Sequence, residues 1–320
     1  MKRTIVFVNY INRSGSTLLC KLLDSYDGIS AGIEAGFPGF IHELIPEQYK
    51  KINSKASLDL YLNDLFKDIR FQEWNVDRGK LLSRLEKIGY PLTFKEILLC
   101  CLEEYFGDCK AKIWVHKAGY YIDLLEEVLS VFPDSKNIYI VRDPRAIFSS
   151  QKQAVSIYEG KSMGYSLCAF IYQYKKRMNV VMNNLSSMDF LVVKYEDLVK
   201  QNDYMEEIVL PFLAMQYAKK NGEGNYSEKI PDNQRSLHTN VSSQPSGKSI
   251  EKWKKGLQRH EILFIQKKLK SEMQYWGYEF ADKQRLTWGD RFLYLKKEME
   301  YLIFSTKNLL YNIVKRTLAN

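Results

Sequence analysis

The sequence is poor in the residues that staple a fold or hold a metal. Its five cysteines, Cys20, Cys100, Cys101, Cys109 and Cys168, form an odd set with no Cys-x-x-Cys spacing. That excludes a disulfide framework and a cysteine-based zinc site. Several lie in apolar helical stretches and read as core thiols of a reducing compartment. The four histidines, His42, His116, His238 and His260, have no metal-ligand spacing with cysteines or acids, although His238 lies where it could touch a ligand. No apolar run reaches the ~18 residues that a bilayer requires, so the chain is expected to stay in the cytoplasm. Lys2 and Arg3 precede apolar residues as in a secretory leader, but Asn9, Asn12 and Arg13 break that run and a first strand is expected instead. Internal repeats, low-complexity tracts and arginine-rich tracts are also missing. The net charge of +9 is therefore scattered, which favours small anionic ligands and gives no signal for nucleic acid.

What the chain does have is ample core material. Its 320 residues are 45% hydrophobic, enough for one main domain. Short apolar runs at 111–116, 137–141 and 189–194 read as strands. Helical patterns near 16–26, 58–70, 94–106, 121–132, 145–156, 164–184, 203–219 and 259–276 alternate with them. Strands alternating with helices predict an α/β fold around a parallel sheet, with ligands beyond the carboxyl ends of the strands. The main domain is expected over 1–281, with a helical insertion at about 50–110 and a polar, Gly/Ser/Asn-rich loop at about 219–249 that suits a lid. Residues 282–320 carry a net charge of +4 and apolar residues at helical spacing from 292 to 314. They are expected to form an amphipathic extension, packed on its own domain or, failing that, on an anionic membrane or in a dimer.

Two segments carry chemistry. Residues 5–23 read as a buried strand, a polar turn Arg13-Ser14-Gly15-Ser16-Thr17 and the start of a helix. The N–H groups of such a turn converge on one spot, and the helix dipole adds positive charge there, which stabilises a phosphate or sulfate group. A nucleoside-triphosphatase loop needs Gly-x-x-x-x-Gly-Lys-Ser/Thr. Here Ser16 precedes Thr17 and the loop cation is Arg13, as for a short anionic group without a γ-phosphate. A second turn, Arg142-Asp143-Pro144-Arg145 running to Ser150, again leaves a strand and enters a helix. Two such turns on one sheet edge imply a ligand with two separated phosphate-type groups.

Together the two segments resemble the sulfotransferases that use 3′-phosphoadenosine 5′-phosphosulfate (PAPS). Arg13 to Leu19 is similar to their 5′-phosphosulfate loop, and Arg142 to Ser150 to their 3′-phosphate motif. The resemblance continues through Lys117, Phe132-Pro133-Asp134, Tyr195-Glu196-Asp197 and Lys252-Trp253-Lys254, over roughly residues 3 to 280. It looks closest to the carboxylate-base branch of tyrosylprotein and carbohydrate sulfotransferases. There, a glutamate after the first helix is the base. Glu34 in Gly32-Ile33-Glu34 occupies that place, with Ile33 standing where another glutamate is often found and Glu43 as the fallback.

The resemblance implies a P-loop-like fold, no metal, and a hydroxyl-bearing acceptor such as a glycan or glycolipid. It gives Glu34 the role of general base, worth roughly 10²–10⁴ in rate. Arg13 and Lys117 would stabilise charge on the leaving oxygen, each well-placed cation contributing about 3 kcal/mol. Ser14, Gly15, Ser16, Thr17 and Leu18 would wrap the 5′ end, and Arg142, Ser150, Tyr195 and Lys252 the 3′-phosphate. His116 reads as a satisfied strand-end residue, because the small-molecule branch places its histidine base in a Lys-Thr-His segment absent here. Arg145 can be a salt-bridge member, and Trp253 a packing residue. Two other readings stay open. One is a small-molecule or nucleoside kinase on the same scaffold, against which the missing loop lysine counts; the other is a non-catalytic nucleotide-binding scaffold.

Overall fold

Alternate residues of a strand face opposite sides of its sheet, and the strand β1 (Thr4–Tyr10) uses both sides. Ile5 and Phe7 enter one buried layer, whereas Val6, Val8 and Tyr10 enter another. A strand buried on both faces belongs in the middle of a parallel α/β sheet. The computed structural model describes residues 3–34, 52–107, 109–156, 160–164, 166–216, 218–220, 226–235, 247–281 and 287–319. Glu43, His42 and His238 lie outside the described residues, as do 221–225 and 236–246 of the expected lid.

After β1 come α1 (Ser16–Asp24), β2 (Ile29–Ala31) and four helices of the insertion: α2 (Lys55–Leu65), α3 (Ile69–Gln72), α4 (Arg78–Ile88) and α5 (Phe94–Phe106). Then follow β3 (Ile113–Lys117), α6 (Leu125–Val131), β4 (Lys136–Val141), α7 (Pro144–Gln153), α8 (Leu167–Asn184), β5 (Phe190–Lys194), α9 (Tyr195–Lys200) and α10 (Leu210–Phe212). The remaining helices are α11 (Tyr226–Lys229), α12 (Asp232–Arg235), α13 (Trp253–Gly256), α14 (Arg259–Lys268), α15 (Lys270–Tyr275) and α16 (Trp288–Ala319). The five strands pair in parallel in the order β2-β3-β1-β4-β5, the α/β architecture expected.

Residues of α1, β2 and α9 to α11 pack on one face of the sheet. The opposite face is shared by the insertion, around Phe7 and Trp114, and by α7, α8 and α14, around Tyr139 and Val141. All the cysteines are free thiols, and all but Cys109 are buried. No helix among the described residues is long and apolar enough to cross a membrane.

Local chemistry explains where the elements differ from the sequence reading. The helix expected at 58–70 divides because Asp68 accepts a hydrogen bond from the Phe71 N–H and caps a new turn. The one expected at 203–219 stops after Phe212, where Ala214 takes a left-handed φ of 53°. The expected lid is partly helical. Tyr226 is buried with its hydroxyl donating to the Gly32 carbonyl (3.3 Å), and Lys229 Nζ donates to Asp24 Oδ1 (2.9 Å) and to the Ala31 carbonyl (3.0 Å). These contacts fasten α11 over the exit of β2. The helix α16 docks on α14 and α8: Phe264 meets Tyr294 edge-on and Tyr172 meets Phe304.

Candidate active site

The strand β1 releases the chain into a turn that closes when the Ser14 N–H donates to the Ile11 carbonyl (3.0 Å). Arg13 has a positive φ of 76°, and Gly15, the N-cap of α1, has 103°. Glycine is needed at 15 for a second reason: a Cβ there would lie 2.3 Å from the Tyr195 ring. The first N–H groups of a helix have no partner within it. In α1 the N–H groups of Leu18 and Leu19 already donate to the Gly15 carbonyl (3.0 and 3.2 Å), which leaves those of Ser16 and Thr17 for the space beside the Arg13 turn, with the positive end of the dipole behind them. A non-glycine residue held at positive φ costs energy, which is repaid where the strained geometry serves a site.

A second arm meets this turn. Arg142 follows β4 and donates from Nη1 to the Arg13 carbonyl (2.9 Å) and from Nη2 to the Ser249 carbonyl (3.1 Å). Its guanidinium lies 4.1 Å from the ring centroid of Tyr195, which follows β5. The Tyr195 hydroxyl is hydrogen-bonded to Ser249 Oγ at 2.7 Å, and Arg13 Nε donates to Ser150 Oγ at 3.1 Å. Burial, reinforced by the nearby Arg142 charge, lowers the Arg13 pKa. Four elements thus converge on one cationic cradle.

The third part lies across β1. The Gly32 N–H donates to the Val115 carbonyl (2.9 Å), extending β2 along β3, and Glu34 comes off this extension. Lys117, the last residue of β3, is buried. Its Nζ donates to Thr17 Oγ1 at 3.1 Å and lies 3.7 Å from Glu34 Oε2. Arg70 of α3 approaches the other Glu34 oxygen at 3.9 Å. Lys117 also sits 5.2 Å from the ring centroid of Tyr10. Burial, and after it the Glu34 charge, pushes the Tyr10 phenol well above its ordinary value. A carboxylate, a buried ammonium and the loop hydroxyl are therefore contiguous.

The structure brings Arg13, Ser14, Gly15, Ser16, Thr17 and Leu18 together with Arg142, Ser150 and Tyr195, and sets Glu34 and Lys117 beside them. Lys252 is exposed just before α13, and its side chain has no described contact with the cradle. Ser249, three residues earlier, makes that contact instead. It lay in a polar stretch with no periodic signal, as Arg70 lay in the insertion without a motif; neither could be read from sequence. Arg145 turns away from the cradle, forked onto the Asp143 carboxylate (2.7 and 3.0 Å) and stacked 3.9 Å from the Trp253 ring centroid. His116 is wholly buried, edge-on to Phe7 and Trp74, and burial lowers its pKa to about 3. It is a core residue. His260 lies against α16, 3.9 Å from Asp290.

Comparison with known proteins agrees with the fold. No curated protein matches the chain in sequence. Among solved structures, the sulfotransferase domain from the curacin biosynthetic pathway is similar over 88% of this chain and 99% of its own, with a TM-score of 0.56 at 18% identity. The sulfotransferase domain of the Synechococcus PCC 7002 olefin synthase is similar over 88% and 98%, with a TM-score of 0.58 at 16% identity. At such identities the likeness is one of fold. The family model described as "Sulfotransferase family" matches residues 6–219, a span that holds the Arg13 turn, Glu34, Lys117, the Arg142 turn and Tyr195, and the chain belongs to that family.

Proposed function

We propose that this sulfotransferase uses PAPS as its donor and transfers the sulfuryl group to a hydroxyl of a carbohydrate or glycolipid acceptor in the cytoplasm, with Glu34 as the general base. The observation that carries this reading is the position of Lys117, which touches Thr17 of the anion turn on one side and faces Glu34 on the other. One ammonium thereby links the place where charge would develop on the leaving oxygen to the group that would accept the acceptor's proton.

The residues divide the work. The turn from Ser14 to Leu18, through the N–H groups of Gly15, Ser16 and Thr17 and with Arg13, would hold the 5′ end of the donor; Arg142, Ser150 and Tyr195 would hold the 3′-phosphate, and Lys252, exposed just before α13, would have to swing toward it. The acceptor oxygen attacks sulfur in line, and its proton goes to the Glu34 carboxylate. The bond between sulfur and the bridging oxygen breaks, and adenosine 3′,5′-bisphosphate departs. Arg13 and Lys117 would stabilise the charge on that oxygen, each contributing about 3 kcal/mol if well placed. The ion pairs to Lys117 and Arg70 fix where the carboxylate sits, which matters because a base must lie within hydrogen-bond reach of its proton.

The test is transfer of labelled sulfate from PAPS to host extract, glycan and glycolipid fractions assayed separately, together with calorimetric titration of adenosine 3′,5′-bisphosphate. Label appearing in a carbohydrate fraction supports the reading. Absence of heat on titration removes the donor assignment, and label confined to non-carbohydrate material removes the acceptor assignment.

A further inference from the structure

The helix α16 has two faces with different fates. Tyr294, Glu298, Tyr301 and Phe304 point into the domain: Glu298 accepts from Lys267 (3.0 Å), Lys268 (2.5 Å) and Tyr294 (2.8 Å), and Tyr301 lies edge-on to Phe264. The apolar residues on the opposite side remain outside. Trp288, Phe292, Leu295, Met299, Leu302 and Leu310 are each more than half exposed. With ~3.6 residues per turn, nine of the eleven exposed apolar side chains described from Trp288 to Val314 fall within an arc of roughly 140° over about 39 Å of helix, and Leu293 and Tyr311 lie beyond one side of it. Contiguous apolar surface of that length is rare on a protein with nothing against it.

Charge identifies the occupant. The helix's acids are engaged: Asp290 accepts from the Thr287 hydroxyl (2.7 Å), Glu298 is held by the two lysines, and Glu300 pairs with Lys297 at 2.6 Å. Arg291 lies along one edge of the apolar arc, over the Trp288 ring at 5.2 Å. Exposed Lys296 and Lys307 lie along the other edge, and neither meets an acid among the described residues. An apolar face with basic edges, too charged to cross a bilayer, is the composition of a helix that lies in the headgroup plane. There, the lysine stems bury and their ammoniums reach anionic headgroups. A second copy fits less well, because parallel pairing along the Phe292, Leu295, Met299 and Leu302 seam sets Arg291 against Lys296 of the partner subunit, and the arc is wider than such a seam.

We propose that α16 binds the surface of an anionic lipid bilayer through this face, with Arg291, Lys296 and Lys307 on the headgroups. The claim does not depend on the donor, the base or the acceptor. The experiment is flotation of the full chain with vesicles of phosphatidylcholine alone or with roughly a third phosphatidylglycerol. Flotation with the anionic vesicles is expected, with a blue shift of Trp288 emission. Lys296→Glu/Lys307→Glu should lower the partition coefficient at least about tenfold, and Phe292→Ser/Leu295→Ser/Met299→Ser should abolish binding while circular dichroism stays unchanged. A full chain that remains unbound at low salt overturns the proposal. So does a concentration-dependent dimer that this triple variant converts to monomer in the absence of vesicle binding.

Discussion

Arg142 donates a hydrogen bond to the backbone carbonyl of Arg13 at 2.9 Å, and so the two cationic turns are built as one object. Burial and the Arg142 charge lower the Arg13 pKa, because two like charges are held in a poorly solvated place. An anion bound between them relieves that repulsion. Donor binding and order in the turn should therefore be coupled.

Glu34→Gln keeps the shape of the side chain and removes its basicity. Turnover should fall by roughly 10²–10⁴ while the affinity for adenosine 3′,5′-bisphosphate stays within about twofold, since the role proposed for Glu34 is on the acceptor side. Parallel kinetics and calorimetry check it; equal losses in both would make Glu34 a structural residue.

Arg142 and Arg145 lie three residues apart and should fail differently. Arg142→Ala should weaken bisphosphate binding by about 1.5–3 kcal/mol, or roughly ten- to 100-fold in Kd. Arg145→Ala strands the buried Asp143 carboxylate and should cost about 3–5 kcal/mol of stability, leaving the Kd of the folded fraction unchanged. Denaturant titration and calorimetry on both variants separate the two roles.

Gly15→Ala meets two obstacles, a left-handed φ and the Tyr195 ring at 2.3 Å. The conformation alone costs about 1–2 kcal/mol, and the ring must also move off the Arg142 guanidinium. We expect lower stability and weaker bisphosphate binding, with Tyr195→Ala less than additive in combination. A double-mutant cycle measures it; full additivity would show that the ring and Gly15 are not coupled.

Burial lowers His116 to about 3, whereas in the unfolded chain it takes up a proton below about 6.5. Its contribution to stability is whole above that pH. As the pH falls, it declines by up to about 1.4 kcal/mol per unit, until the folded form is protonated too, near pH 3. His116→Phe keeps the aromatic contacts and should flatten the slope of urea stability against pH in this window, with turnover retained. Lost turnover in a folded variant would overturn the reading of His116 as a core residue.

The parts of the fold written in local chemistry were legible in the sequence. The run from Ile5 to Tyr10, the polar turn at Arg13 and the helix after it announced a strand, cradle and helix, and Arg142-Asp143-Pro144 announced a second. Three-residue β2 was not legible, because Ile29-Ser30-Ala31 is too short to show a period and exists through its pairing with β3. Nor were Arg70 and Ser249, whose place beside Glu34 and Arg142 comes from chain crossings rather than from neighbours in sequence. In α16 the apolar spacing gave the helix but not its orientation. The domain took the face with Tyr294, Glu298 and Tyr301, whose aromatic and charged partners wait on α14. Periodicity alone cannot distinguish a stripe that meets the core from one that meets something else.

Because β1 runs down the middle of the sheet, Arg142 and Tyr195 are supplied from its β4 and β5 flank, and Glu34 and Lys117 from its β2 and β3 flank. The insertion that walls the second flank is spliced between β2 and β3, far in sequence from the first. On the proposed assignment, rewriting that insertion, or grafting another in its place, changes the wall beside Glu34 and Lys117 and leaves the two cationic turns untouched, so acceptor choice can be altered separately from the grip on the donor.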